Sequence, residues 1–188
     1  MLSLVQAFFQ ITLHRRGPES LPASRFLFAL VLVVYAPLFW LSLRAGPVEI
    51  AHPLALLVAT AALDLAFIWS LLRAFGHERR FLQTAIAIFG TDALLNLYSI
   101  PPAAWLSAVA PQAAVATAAA SDAATATPQA AVPAVLLLLL TAWSIDISGF
   151  VIARAVGRPY VLGVAIMLGY ALLTASFRAT FFPATPMS

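Results

Sequence analysis

The chain has 188 residues, of which 63% are hydrophobic and 9% are charged, and its formal net charge is +3. An ordinary soluble domain carries about 25% charged residues, so this composition leaves too little polar surface to coat a soluble globule. All ten basic residues are arginines in short segments between apolar runs, a distribution typical of membrane topology signals and not of a nucleic-acid surface. Cysteine is absent, which excludes disulfides and thiolate metal sites.

The chain begins with a predicted interfacial helix over residues 1–13. Its polar residues follow the spacing of one helical face, which is typical of a helix lying flat on a membrane: Ser3, Gln6, Gln10 and His14. Arg15 and Arg16 follow the apolar part instead of preceding it, which argues against a cleaved signal peptide. The interfacial helix and the basic loop after it form the first predicted unit, residues 1–24, whose Ser24 is placed to cap the next helix.

Five later apolar segments are long enough to cross a bilayer, which takes about 20 residues of α-helix. They are approximately residues 25–43, 53–72, 81–100, 134–156 and 160–177. The sequence therefore predicts an all-α fold, a polytopic transmembrane helix bundle of five spans plus the N-terminal interfacial helix.

The third predicted span is expected to end abruptly at Pro101 and Pro102, because proline disfavours helix in the residue before it. Residues 107–133 are rich in Ala and Thr and nearly uncharged, so we expect a loose or partly helical outer loop there. The predicted divisions after the first unit are spans 1–3 (25–106), this loop (107–133), spans 4–5 (134–178) and a tail (179–188).

The arginines also predict an orientation. If the N-terminus is cytoplasmic, only Arg44 and Arg178 of the ten lie on the outer side, as the positive-inside rule requires. We therefore expect a multi-pass protein of the bacterial inner (plasma) membrane, with its C-terminus on the outer face. The arginines expected to meet anionic headgroups, each at about 1 kcal/mol, are Arg15, Arg16, Arg73, Arg79 and Arg80. The alternative is that these arginines only fix the topology.

Three acidic residues lie inside the predicted spans, namely Asp64, Asp92 and Asp146. An aspartate at the centre of a membrane helix costs about 2.5 to 3.5 kcal/mol, and the sequence predicts no arginine at a comparable depth. At least one of the three carboxyls is therefore expected to be protonated at neutral pH and to donate a hydrogen bond.

Further polar residues accompany these acids. Asp92, Asn96 and Ser99 fall at i, i+4 and i+7, on one side of a helix, where lipid would leave them unpaired, so other helices must cover that side. The predicted intramembrane polar cluster consists of Asp64, Asp92, Asn96, Ser99, Asp146, Ser144 and Ser148. One interpretation is functional: the cluster is a proton or cation path, or the polar floor of a small-molecule cavity. The other interpretation is that the cluster only forms hydrogen bonds between helices. In the second interpretation, Asp92 and Asn96 bond to Asp64, Thr60, Ser144, Ser148 or Asp146.

Motifs of enzymes and cofactor sites are missing from the sequence. The three histidines, His14, His52 and His77, lie in predicted interfacial segments and not on facing spans, which argues against haem ligation. No histidine or acid pair has metal-ligand spacing, and neither a phosphate-binding loop nor a nucleophile elbow is present. We therefore expect no catalytic residues, no metal, no cofactor and no enzymatic activity.

The layout resembles the Yip1-domain family of small integral membrane proteins. It shares a cytoplasmic N-terminal segment, the Pro-containing lead HRRGPESLPAS at residues 14–24 and five closely spaced spans, over about residues 15–178 and in architecture only. The lead is similar to that of bacterial five-span members, whereas the Ala/Thr-rich insert departs from their compact loops. The resemblance implies a non-enzymatic role in membrane organisation or trafficking.

Two functions follow as expectations. The first is a non-enzymatic inner-membrane protein that acts through helix packing and contacts with lipid or a protein partner. The alternative is a small proton-linked transporter or channel subunit that uses Asp64, Asp92 and Asp146. Membrane lipid is the expected partner, with a membrane protein or a homo-oligomer as further alternatives, and nucleic acid is not expected.

Overall fold

The computed structural model describes the backbone of residues 2–119 and 128–186 and the side chains of residues 5–109 and 129–183. The described chain is almost entirely helical. Its α-helices are α1 (Leu2–Thr12), α2 (Arg25–Ala45), α3 (Pro53–Ala74), α4 (Phe81–Ala119), α5 (Pro128–Val156) and α6 (Tyr160–Phe181). Helices α2 to α6 are each long and apolar enough to cross a membrane. The all-α class predicted from the sequence is therefore correct.

Local signals set the helix boundaries. Ser24 caps α2 as predicted, since its side chain accepts a hydrogen bond from the Leu27 backbone amide at 3.4 Å. Pro53 opens α3 in the first turn, where its missing amide costs nothing. Helix α5 ends at Gly157, whose φ of +66° is the left-handed conformation that glycine adopts without steric cost.

Helix α4 is the central helix of the bundle. In the apolar stretch of α4 that is long enough to cross a membrane, 56% of the residues are buried. The corresponding stretches of the other four long helices have 17–28% of their residues buried. Ala85, Ile86, Ala87 and Phe89 are completely buried, and α4 contacts α1, α2, α3 and α5. The other helices are arranged around this one.

Helix α4 also corrects a prediction. It continues through Pro101 and Pro102 as far as Ala119, so the expected end of the third span is wrong. The residues after the two prolines are mainly alanine, the strongest helix former, and Pro102 and Ala103 are buried. The predicted outer loop is helical where the structure describes it, because residues 107–119 belong to α4 and 128–133 to α5. Residues 120–127 of that loop lie outside the described residues.

The two ends of the bundle differ, and we name them by their contents. The basic end holds the connections at residues 13–24, 75–80 and 157–159. The ribbon end holds strand β1 (Val48–Ile50), which pairs antiparallel with strand β2 (Ala184–Pro186). This pairing joins the connection between α2 and α3 to the chain after α6, two segments that the sequence analysis treated as an ordinary loop and a tail.

Helix α1 packs on the bundle instead of standing alone. Ala7, Phe8 and Ile11 are buried, while Val5 and Phe9 are exposed. The Phe8 ring lies against Gly90 of α4 so closely that a Cβ at that glycine would overlap it. The predicted helix at residues 1–13 therefore exists, and one of its faces belongs to the protein core.

Helices α5 and α6 approach each other through glycine. A Cβ on Gly149 would lie 2.8 Å from the Val164 backbone, and one on Gly163 would lie 2.9 Å from the Ala153 nitrogen and overlap the Gly149 carbonyl. Small residues permit this close backbone contact between apolar helices. The contact fixes how residues on α5 face those on α6.

Candidate functional site: a polar cavity among five helices

A cavity of about 650 Å³ lies between α2, α3, α4, α5 and α6. This volume is within the range of about 300 to 1,000 Å³ that small-molecule sites occupy. Six of the seven residues of the predicted polar cluster line it: Asp64, Asp92, Asn96, Ser99, Ser144 and Ser148. Tyr35, Phe39 and Phe67 supply aromatic wall. The cavity therefore combines apolar surface with a few polar groups.

The two cavity acids lie at the middle of α3 and in the first third of α4, where each meets a different environment. The Asp64 carboxylate on α3 accepts a hydrogen bond from the Tyr170 hydroxyl of α6 at 2.5 Å. The Tyr170 ring stacks on Phe67 of α3 with centroids 3.9 Å apart and an interplanar angle of 14°. The hydrogen bond from Tyr170 thus holds the Asp64 carboxylate in place and links α3 to α6.

The Asp92 carboxylate on α4 has no such partner. Among the described residues, none donates a hydrogen bond to it and none forms an ion pair with it. Beyond the regular backbone hydrogen bonds of α4, its backbone carbonyl accepts a hydrogen bond from Asn96 Nδ2 at 2.9 Å. Asp92 lines the cavity, so its carboxylate is available to whatever the cavity holds.

The hydrogen bonds of the neighbouring residues differ from those of the packing interpretation. Asn96 Oδ1 accepts from the Ser42 hydroxyl of α2 at 2.9 Å, and the Thr60 hydroxyl donates to the Leu56 carbonyl in its own helix at 2.8 Å. Ser99 likewise donates to the Asn96 carbonyl at 2.8 Å. Among the described side chains, none of the expected bonds from Asp92 or Asn96 to Asp64, Thr60 or the residues of α5 is formed.

Arg178 also lines the cavity, and the sequence analysis missed it. Arg178 had been counted as an outer topology residue, although Tyr170, Thr174 and Arg178 form an i, i+4, i+8 stripe on α6 that could have revealed it. Its guanidinium carbon lies 5.8 Å from the centre of the Phe39 ring. No described carboxylate lies within 4 Å of this guanidinium.

The depth of that guanidinium follows from the register of α2 against α4. Two contacts join these helices with the same separation of 54 residues, the Ser42–Asn96 hydrogen bond and the edge-to-face pair of Tyr35 and Phe89. A constant separation means that the helices run parallel, so Phe39 lies level with position 93, next to Asp92. The ring nearest the Arg178 guanidinium therefore belongs to a residue level with Asp92, although Arg178 itself belongs to the last turn of α6.

Asp146, the seventh residue of the predicted cluster, lies outside the cavity. One of its carboxylate oxygens is 3.3 Å from His14 Nε2, and the other accepts a hydrogen bond from the Tyr160 hydroxyl. The His14 ring packs edge-on against Phe150, with centroids 4.5 Å apart. Asp64 and Asp92 therefore line one cavity, whereas Asp146 lies on the α5 face that meets the chain after α1.

The predicted headgroup arginines lie at the basic end, where some have protein partners. Arg80 donates to the Arg154 and Ala155 carbonyls at 3.2 and 3.0 Å, which satisfies free carbonyls at the end of α5. Arg73 lies 3.9 Å from Glu78 and over the Trp69 ring. The side chains of Arg15, Arg16 and Arg79 are exposed.

Comparisons of the chain with protein-family models, with curated proteins and with solved structures found no match. The chemistry of the cavity therefore has to be inferred from its own side chains. These offer an unpaired carboxylate, a fixed carboxylate, a guanidinium without an ion pair, an amide and several hydroxyls. Together they can bind a charged solute.

Proposed function

We propose that this chain is a multi-pass protein of the bacterial inner membrane and a small proton-linked transporter or channel subunit, with its N-terminus in the cytoplasm. In this proposal the cavity binds a positively charged solute, a proton included, and the Asp92 carboxylate is its ligand. The observation that carries the proposal is the lack of a described hydrogen-bond or ion-pair partner for Asp92 in a cavity that five helices line.

The energetic reason is the cost of an acid within a membrane helix, about 2.5 to 3.5 kcal/mol at the centre. Interhelical hydrogen bonds average only about 0.6 kcal/mol, and the Asp92 side chain makes none with the described residues. Packing therefore does not account for this residue, whereas binding of a proton or a cation does. Asp64 is assigned a positioning role, because it holds Tyr170 at the cavity wall.

A second function is supported by different contacts. The Tyr170–Asp64 and Ser42–Asn96 hydrogen bonds each join two long helices, as expected for a non-enzymatic protein that acts through helix packing and contacts with lipid or a protein partner. The Yip1-type layout favours the same role. In that case the exposed Arg15, Arg16 and Arg79 at the basic end would contact anionic headgroups.

Proton flux through the reconstituted protein tests the first proposal. Liposomes that contain the full chain and trapped pyranine are given an inside-negative potassium diffusion potential with valinomycin, and internal acidification is followed by fluorescence. We expect wild-type flux well above that of empty liposomes and at least a tenfold loss for Asp92→Asn, because asparagine keeps the size of the side chain and cannot bind a proton.

Asp146→Asn is the matched control, since it removes a carboxyl group that also belongs to a long apolar helix but lies outside the cavity. Its flux should stay within twofold of wild type. Wild-type flux equal to that of empty liposomes, or equal flux in Asp92→Asn and wild type, would exclude the transport proposal and leave the packing function. Size-exclusion profiles of all variants establish that equal amounts of folded protein are compared.

A further inference from the structure

The cavity contains an unpaired charge of each sign. The Asp92 carboxylate and the Arg178 guanidinium both line it, and neither has an oppositely charged partner within 4 Å among the described residues. The α2–α4 register places Phe39, the ring nearest the guanidinium, level with position 93, next to Asp92. The two charged groups are therefore more than 4 Å apart on different walls of one cavity. They interact electrostatically across it but form no direct ion pair.

A simpler role for Arg178 is that of a cation in the last turn of a helix, where it favours the negative end of the helix dipole. That role does not require its guanidinium to lie over Phe39, which is six residues before the end of α2 at Ala45. Arg178 is exposed, but its side chain also lines the cavity. This places the guanidinium fork, which matches carboxylate and phosphate oxygens, on the cavity wall.

We infer that the cavity selects a small zwitterion, with the ammonium group at Asp92 and the phosphate or carboxylate group at Arg178. The inference rests on the proposed binding function and adds the anionic pole of the ligand. A zwitterion with a short spacer satisfies both unpaired protein charges at once, whereas a simple cation leaves the guanidinium unpaired. The apolar wall formed by Phe39 and Phe67 suits the methylene groups between the two poles.

The same chemistry exists in two sources, a free solute and the headgroup of an ethanolamine phospholipid. Radiolabelled glycerophosphoethanolamine, which carries an ammonium and a phosphodiester, is the soluble probe for the full chain in detergent micelles. Ethanolamine offers the cation alone and glycerophosphoglycerol the anion alone. We expect the zwitterion to bind at least tenfold more tightly than either competitor.

The variants separate the two poles of the ligand. Arg178→Gln should weaken zwitterion binding at least tenfold and change ethanolamine binding by less than twofold. Arg178→Lys keeps the positive charge but not the guanidinium fork, so it should bind the zwitterion more tightly than Arg178→Gln and less tightly than wild type. The retained ethanolamine binding shows that the glutamine variant is folded. Asp92→Asn should weaken both the zwitterion and ethanolamine.

Labelled dihexanoyl-phosphatidylethanolamine distinguishes the two sources. Binding at least tenfold tighter than that of glycerophosphoethanolamine assigns the site to a lipid headgroup, and equal or weaker binding assigns it to a free solute. Both results support the zwitterion site, provided that dihexanoyl-phosphatidylglycerol fails to compete.

Equal affinity for ethanolamine and the zwitterion, or no binding of either labelled probe, would overturn the inference. If Asp92-dependent proton flux persists in that case, the transport proposal stands and only the anionic pole is wrong. Loss of the proton flux itself would be the failure of the proposed function.

Discussion

Asp146 and Asp92 both lie on long apolar helices, yet their surroundings differ in kind. Asp146 faces the basic end, where His14 and Tyr160 contact its two carboxylate oxygens. Asp92 faces the cavity, where no described side chain donates to its carboxylate. The same residue type thus occurs in two environments, which differ in the number of protein partners.

The contrast extends to the arginines. At the basic end Arg154 contacts Glu19 at 2.5 Å, and Arg80 binds backbone carbonyls of α5. In the cavity Arg178 lies near the Phe39 ring and has no described carboxylate within 4 Å. Paired charges hold connections and helix ends together, whereas the unpaired charges that share the cavity are the basis of the ligand site proposed above.

The largest expected effect concerns the close contact between α5 and α6, the helices that carry Asp146 and Tyr160. Gly163→Ala places a methyl group against the backbone of α5 and should separate α5 from α6. The free energy of unfolding should fall by about 2 to 3 kcal/mol. Gly169→Ala is the matched control on the same helix, because nothing lies within 4 Å of its added Cβ, and it should stabilise by about 0.5 to 1 kcal/mol.

Unfolding of the two variants in mixed micelles, titrated with sodium dodecyl sulfate and followed by circular dichroism, measures both values. An equal change in the two variants would contradict the assignment of Gly163 to the close α5–α6 contact.

The next effect compares the two acids of the cavity. Asp64→Leu leaves the Tyr170 hydroxyl without its acceptor and should cost about 1 to 2 kcal/mol of unfolding free energy. Asp92→Leu removes a carboxylate that has no described partner, so stability should be unchanged or higher. The same titration measures both, and a loss in Asp92→Leu as large as that in Asp64→Leu would show that Asp92 is a packing residue.

The smallest effect concerns His14, which has a φ of +57° and contacts a half-exposed acid. His14→Ala should lower the unfolding free energy by about 1 kcal/mol through loss of the contacts of the ring with Asp146 and Phe150. His14→Gly loses the same contacts but suits the left-handed backbone, so it should be about 0.5 to 1 kcal/mol more stable than the alanine variant. Equal stabilities, measured in the same titration, would contradict the assignment of backbone strain to this residue.

Periodicity within single helices was predictable from the sequence. The i, i+4, i+7 spacing of Asp92, Asn96 and Ser99 placed them on one side of a helix that other helices cover, and all three line the cavity. The end of α4 was not predictable in the same way. Pro101 and Pro102 disfavour helix locally, but packing of Pro102 and Ala103 and the alanine-rich continuation outweigh that preference.

Contacts between helices could not be predicted from the periodicity of the sequence. The sequence showed a stripe of Tyr170, Thr174 and Arg178, but nothing in it states that Tyr170 meets Asp64 or that Arg178 lies over Phe39. The pairing of β1 with β2 joins segments more than 130 residues apart, and neither segment has a strand pattern strong enough to reveal it.

The sequence by itself determined the composition class, the five long apolar helices and the side of each helix on which its polar residues lie, because these depend on hydropathy and helical repeat alone. Only the tertiary structure decided which acids share a cavity, which acid meets His14, and which charges remain unpaired. Those outcomes depend on the register and approach of neighbouring helices, which the Gly149–Gly163 contact and the α2–α4 alignment set.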